Sequence, residues 1–171
     1  MNGIKIPQGV TMSVEGPRIT ATGPKGSAER KFNPDIVGVT ITGGEVQVTH
    51  MAKKLTRKAN AAARAIEAHV KRLVQGVTEG YEKKLTVVYA HFPITVEAKD
   101  KVVTIKNFLG EKSLRTASIA DGVKVRVEKQ EITVTGSDNE TVGQTAANII
   151  LATRISNRDR RVFQDGIYLV E

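Results

Sequence analysis

"VTMSVEGPRITATGPKG", residues 10–26, is answered about 84 residues later by "ITVEAKDKVVTIKNFLG", residues 94–110. Thr11 falls on Thr95, Thr20 on Thr104 and Gly26 on Gly110. The correspondence continues outward. Gly38-Val39 falls on Gly122-Val123, and "EVQVT" from Glu45 matches "EITVT" from Glu131 after a two-residue slip. Ala62-Ala63 then falls on Ala146-Ala147, and Ile66 on Ile150. Identities are few, but order and spacing hold. Self-similarity at a fixed offset marks one supersecondary unit used twice.

Each copy reads as strands followed by one helix. Val10, Met12 and Val14 alternate with polar residues, as do Val39 and Ile41, Val46 and Val48, Val123, Val125 and Val127, and Ile132 and Val134. Period-two alternation predicts half-buried strands. Gly16-Pro17, Gly23-Pro24 and Gly43-Gly44 punctuate them as turns. "LTVVYAHFPITVEA", from Leu85, reads as one long strand bent at Pro93. From Lys53 to Gln75, an apolar stripe of Leu55, Ala59, Ala62, Ile66, Val70 and Leu73 predicts an amphipathic helix that stops at Gly76. Lys54, Arg57, Lys58, Arg64, Lys71 and Arg72 fall on its other side. The second helix opens with Ser137 and Glu140 at capping-box spacing, with Val142, Ala146, Ile149 and Thr153 as its inner face. The expected fold class is α+β: a tandem duplication of a small domain with an antiparallel β-sheet packed against one α-helix. The first repeat, residues 1–78, is basic; the second spans 79–156; an arginine-rich tail follows at 157–171.

Composition narrows the function. The chain has 171 residues, 40% hydrophobic and only 4% aromatic, so a packed core must be aliphatic. Lys and Arg number 26 against 18 Asp and Glu, a net charge of +8 that favours polyanionic partners, nucleic acid above a membrane surface. The first 75 residues hold 12 Lys/Arg against 5 Asp/Glu, residues 76–153 hold 10 of each, and 154–161 hold four arginines against one aspartate. There is no cysteine, which excludes disulfides, thiolate metal sites and Cys nucleophiles. The N-terminal "MNGIKIPQGV" does not read as a signal peptide, and no stretch reaches transmembrane length. His50, His69 and His91 match no metal spacing. "GPKGS" from Gly23 lacks phosphate-loop spacing and reads as a β-turn. No nucleophile, base and orienter assemble, so we expect no enzyme, no cofactor, no small-molecule substrate and no membrane partner.

The tail, "NRDRRVFQDGIYLVE", residues 157–171, sets three arginines beside an apolar segment. Arginine's planar fork of donors matches phosphate oxygens, and Phe163 or Tyr168 could stack or anchor. Arg158-x-x-Arg161-x-Phe163-x-Asp165-Gly166-Ile167-Tyr168-Leu169 resembles the C-terminal signature of the large-subunit ribosomal protein L-six family, in its archaeal and eukaryotic branch. "VQGVTEGYEKKLTVVYAHFPI", "NFLGEK" and "VGQTAANI" resemble its inter-domain, second-domain loop and second-helix segments. The short tail and lack of long insertions look archaeal.

The resemblance implies a structural, non-enzymatic constituent of the cytoplasmic ribosome. Its partners would be large-subunit rRNA, near the sarcin–ricin loop and the base of the stalk, and neighbouring ribosomal proteins. It implies Arg158 and Arg161 as phosphate ligands and Asp165-Gly166 as a turn that sets the final segment. The candidate rRNA-binding set is Arg154, Arg158, Arg160, Arg161, Phe163, Gln164 and Tyr168 around the tail, Lys106 and Lys112 in the second repeat, and Lys53, Lys54 and Arg57 at the start of the first helix. The alternative is a free-standing RNA-binding or assembly factor on the same duplicated fold, which a high-salt wash would strip from the subunit.

Overall fold

A computed structural model describes residues 3–51, 56–156 and 158–170. The chain divides after Gly80 into two compact units. The first contains β1 (Ile4–Lys5), β2 (Thr11–Glu15), β3 (Arg18–Gly23), β4 (Gly26–Lys31), β5 (Val37–Thr42), β6 (Glu45–His50) and α1 (Arg57–Thr78). The second contains β7 (Tyr81–Val88), β8 (Thr95–Lys99), β9 (Val102–Lys106), a 3₁₀ turn (Phe108–Gly110), β10 (Arg115–Ser118), β11 (Val123–Glu128), β12 (Glu131–Gly136), α2 (Asn139–Ala152) and β13 (Gly166–Val170). The α+β class and the duplication stand as the sequence predicts, with one refinement. Each unit has two antiparallel sheets, β2-β3-β4 and β1-β6-β5 in the first, β8-β9-β10 and β11-β12-β7-β13 in the second. The helix of each unit packs on both of its sheets. The expected long strand from Leu85 is accordingly two strands in different sheets, because the β7 ladder ends at Val88 and Pro93 has no amide to continue it.

Strand register makes the repeat concrete. Met12 faces Ala21, and 84 positions on, Val96 faces Ile105. Val39 faces Val48, and 86 positions on, Val125 faces Val134. The slip therefore precedes β11, so Val39 corresponds to Val125 and not to Val123. The β9–β10 connection is three residues longer than its counterpart, and the stretch between β10 and β11 is one shorter. In the first unit β3 and β4 close as a tight hairpin, Gly23 opposite Gly26, whereas in the second Ile105 is already opposite Arg115 across the 3₁₀ turn. Gly110 lies in this longer connection and is not the register counterpart of Gly26. On the helices the buried residues Ala59, Ala63 and Ile66 recur as Val142, Ala146 and Ile149. Ile149, fully buried, is the partner of Ile66; Ile150 is only partly buried.

The helix ends differ from expectation for identifiable reasons. Thr56 caps α1, its Oγ1 accepting from Ala59 N at 3.2 Å, so the helix begins at Arg57. Lys53, Lys54 and Leu55 lie outside the described residues. At the other end α1 passes through Gly76 to Thr78. Val77 is fully buried, and its carbonyl, which a helix end would leave unsatisfied, accepts from Lys25 N at 3.0 Å in the β3–β4 hairpin. A Cβ at Gly23 would sit 2.7 Å from that carbonyl oxygen, so glycine is needed for the hairpin to come this close. In α2 the cap is Asp138, which accepts from Glu140 N at 3.2 Å, while Ser137 is buried.

Two aliphatic cores result, one per unit, with Phe108 the largest fully buried side chain. Ile66 is 8% exposed within the first. Ile66→Ala should lower stability by about 2–5 kcal/mol, the usual range for a buried large-to-small change. Denaturant melts check this; a loss under about 0.5 kcal/mol, at the level of ordinary surface substitutions, would place Ile66 outside the core.

Candidate nucleic-acid interface

The tail reaches the second unit's surface by becoming part of its sheet. β13 pairs antiparallel with β7 along Gly166↔Val88 to Val170↔Lys84. Gly166 and Ile167 are buried, while Tyr168, Leu169 and Val170 are about half exposed. Three buried or partly buried polar contacts fix the entry. The Ile167 amide donates to Thr153 Oγ1 at 3.1 Å, and that hydroxyl donates to Ile150 O at 3.0 Å. Asp165, 6% exposed, accepts from Ala90 N at 3.2 Å. Asp165-Gly166 is therefore not a turn, as the resemblance implied. Asp165 is a buried acceptor and Gly166 opens the strand. The turn lies earlier, where Asp159 O accepts from Val162 N at 3.1 Å and Phe163 N at 2.9 Å.

This bracing displays the arginines. Arg154, Arg158, Arg160 and Arg161 are all exposed. Arg161 Nη2 and Nε donate to the Asp159 carboxylate at 2.8 and 3.1 Å, and its amide donates to Oδ1 at 2.9 Å. The guanidinium contact holds the Asp159 carboxyl below its usual range, with the Arg161 amide adding to it. The pair is open to water, with the Arg161 side chain 89% exposed, so a phosphate can compete for it at little cost. The Arg158 guanidinium lies 5.0 Å from the centre of the Phe163 ring. Tyr168 OH donates to Gln164 O at 2.9 Å, and Gln164 Nε2 donates to Arg161 O at 3.2 Å. Phe163, Gln164 and Tyr168 thus shape the tail from within, while Ile167 anchors it to the core. Arg154, Arg160, Phe163, Asp165 and Tyr168 border a shallow depression of about 480 Å³.

The other candidates lie on other elements. Lys106 Nζ donates to both Glu97 carboxylate oxygens at 2.8 Å, a cross-strand pair of β8 and β9. Lys112 is exposed just after the 3₁₀ turn. Arg57 is exposed at the start of α1, in the other unit. Lys53 and Lys54 are among the undescribed residues. Arg115 escaped the sequence reading, although Glu111 four positions before it was a visible signal. Its guanidinium donates to both Glu111 oxygens at 2.8 and 2.9 Å and to the carbonyls of Ala152 and Arg154 at 3.0 and 3.2 Å. It also lies 4.4 Å from the centre of the Phe108 ring. Arg115 therefore satisfies the end of α2, where the tail departs. Its hydrogen bonds hold the Glu111 carboxyl low, and its charge and that of Arg158 add to this against the opposing effect of burial.

This is a binding scaffold: one small fold used twice, with an arginine-bearing segment stitched onto the second copy. The family described as Ribosomal protein L6 matches residues 6–80 and again 92–166, one match to each copy. The chain is 44% identical to the large ribosomal subunit protein uL6 of Sulfurisphaera tokodaii, over 97% of this chain and 89% of the relative. It is 47% identical to uL6 of Methanocella arvoryzae, over 97% and 93% of the two, and 45% identical to uL6 of Methanosarcina mazei, over 98% and 94%. The chain belongs to the ribosomal protein L6 family, which is structural and not enzymatic.

Thr153→Val keeps the shape of the side chain but leaves the buried Ile167 amide unpaired. We expect a stability loss of about 1–3 kcal/mol in denaturant melts; no loss would mean that the hydroxyl does not hold the tail. Glu111→Gln should cost stability at neutral pH. The wild-type carboxyl is depressed below its ordinary 4.5, so its contribution is present above that value and fades as pH falls through the folded-state pKa. The wild-type and variant melting curves should therefore converge in acid, and a gap independent of pH would contradict the ion pair.

Proposed function

We propose that the chain is a structural constituent of the large ribosomal subunit. In this reading it binds large-subunit rRNA near the sarcin–ricin loop and the base of the stalk, beside neighbouring ribosomal proteins. The observation that carries the reading is the braced tail: Arg158, Arg160 and Arg161 stand exposed on a segment whose next residues are built into the sheet of the second unit. A flexible arginine tail would lose part of its phosphate affinity to the entropy of ordering itself, a cost that the pairing of β13 with β7 reduces. Arg158 and Arg161 act as phosphate ligands, Arg161 exchanging the Asp159 carboxylate for phosphate. Arg154 and Arg160 add charge beside them, and Phe163, Gln164 and Tyr168 keep the segment in shape. Lys112 extends the contact, and Lys106 joins it only by leaving Glu97. Lys53, Lys54 and Arg57 contribute a contact from the first unit.

Phosphate contacts release counterions, so each one lost flattens the dependence of log affinity on log salt. Replacing Arg158 and Arg161 together with alanine should weaken binding to a large-subunit rRNA transcript and reduce the salt slope by roughly 1–2. Deleting residues 162–171, which removes only acidic charge, should weaken binding as well. Undiminished affinity of the truncated chain would reduce the arginines to a loose electrostatic tail. Hydroxyl-radical cleavage of the rRNA from a probe on the tail in intact subunits would test the placement near the sarcin–ricin loop; cleavage confined to other helices would refute it.

A further inference from the structure

Between β7 and β8 runs "YAHFP", Tyr89–Pro93, which none of the contacts proposed so far uses. Its backbone is tied on two sides. Ala90 N donates to Asp165 of the tail, and Pro93 O accepts from Asn107 Nδ2 at 3.0 Å. The second tie leads to the 3₁₀ turn, where Asn107, Leu109 and Gly110 have φ of 59°, 51° and 76°. A leucine in the left-handed region is uncommon and strained, and persists only where its surroundings impose it. Here Phe108, 1% exposed, anchors the turn, and Arg115 lies over that ring.

The strained turn places Gly110 under the ring of Phe92. A Cβ on Gly110 would lie 3.3–3.5 Å from three atoms of that ring, so any other residue would press on it. Phe92 thus rests on bare backbone while remaining 46% exposed. Burial alone does not account for a phenylalanine held open in this way. The loop beneath it carries a cation, Lys112, exposed two residues past Gly110, and the arginine-bearing tail is tied to the same segment through Ala90 and Asp165.

We propose that Phe92 is a stacking platform for an unpaired nucleobase, a binding site on the same RNA-facing surface as the tail. The proposal rests on the rRNA reading above. An exposed aromatic face seated on a rigid turn, with an exposed lysine on the adjoining loop, suits a splayed-out base and its phosphate, since every base has a π-face and stacking tolerates sequence.

The full chain contains no tryptophan, so Phe92→Trp would report from this position alone. On titration with a large-subunit rRNA transcript, Phe92→Trp should keep its affinity and its emission should be quenched by the stacked base. Phe92→Leu, which keeps the apolar volume and loses the ring, should bind roughly 5- to 100-fold more weakly, as expected for one lost base stack. Its salt slope should match wild type, because no charge is removed. Full affinity of Phe92→Leu, or unquenched emission of bound Phe92→Trp, would overturn the proposal and leave this ring to a protein neighbour or to water. If the Arg158/Arg161 double variant still binds weakly in that case, the tail reading survives; if it too binds like wild type, both readings fall.

Discussion

Ile167 lies in the core of the second unit with its amide donated to a buried threonine hydroxyl, two residues past an aspartate that is itself buried against the Ala90 amide. That short anchored segment converts a tail into the fourth strand of a sheet. Pairing with β7 satisfies one edge of the strand, and burial of Ile167 gives the apolar gain that holds it there. The arginines just upstream inherit the fixed position. Without the anchor, Arg158 to Arg161 would be a solvated charge run; with it, their backbone is joined to the sheet.

The two copies of the fold have been put to different use. In the first, a tight Gly23–Gly26 hairpin seals the end of α1 through the Lys25 amide. In the second, a longer connection with a strained 3₁₀ turn replaces that hairpin and supplies Glu111, which holds Arg115 at the start of β10, and Arg115 closes the shorter α2 instead. Each copy thus solves the same problem, unsatisfied carbonyls at a helix end, with different parts. The second solution leaves the end of α2, the strained loop and the tail joined by hydrogen bonds in one unit, and this concentration of irregular, braced backbone is where the arginines are displayed.

Much of this was legible in the residues. Alternation at Val46 and Val48, or at Ile132 and Val134, reports which side of a strand is buried, and the structure buries those residues. The helical stripes were legible for the same reason. Alternation does not say which strand lies beside which, so the division of each unit into two sheets was out of reach. The passage of α1 through Gly76 depends on an amide some fifty residues earlier in the chain, a tertiary partner that no local signal announces. Leu109 at positive φ is a residue no turn preference would place there. Glu111 and Arg115 were visible as a pair, but their grip on the carbonyls of Ala152 and Arg154 was not. The tail motif pointed to Arg158 and Arg161; that Ile167, Thr153 and Asp165 hold them in place is a property of the fold.

The central claim is that the tail is ordered on the second unit before RNA binds. Amide hydrogen exchange across β13 in the free chain, compared with the chain bound to large-subunit rRNA, tests it most directly. Gly166 to Val170 should exchange slowly in the free chain, the Ile167 amide most slowly, with little added protection on binding. Exchange at unfolded rates in the free chain, with protection appearing only when RNA is added, would show that RNA folds the tail and would contradict the account.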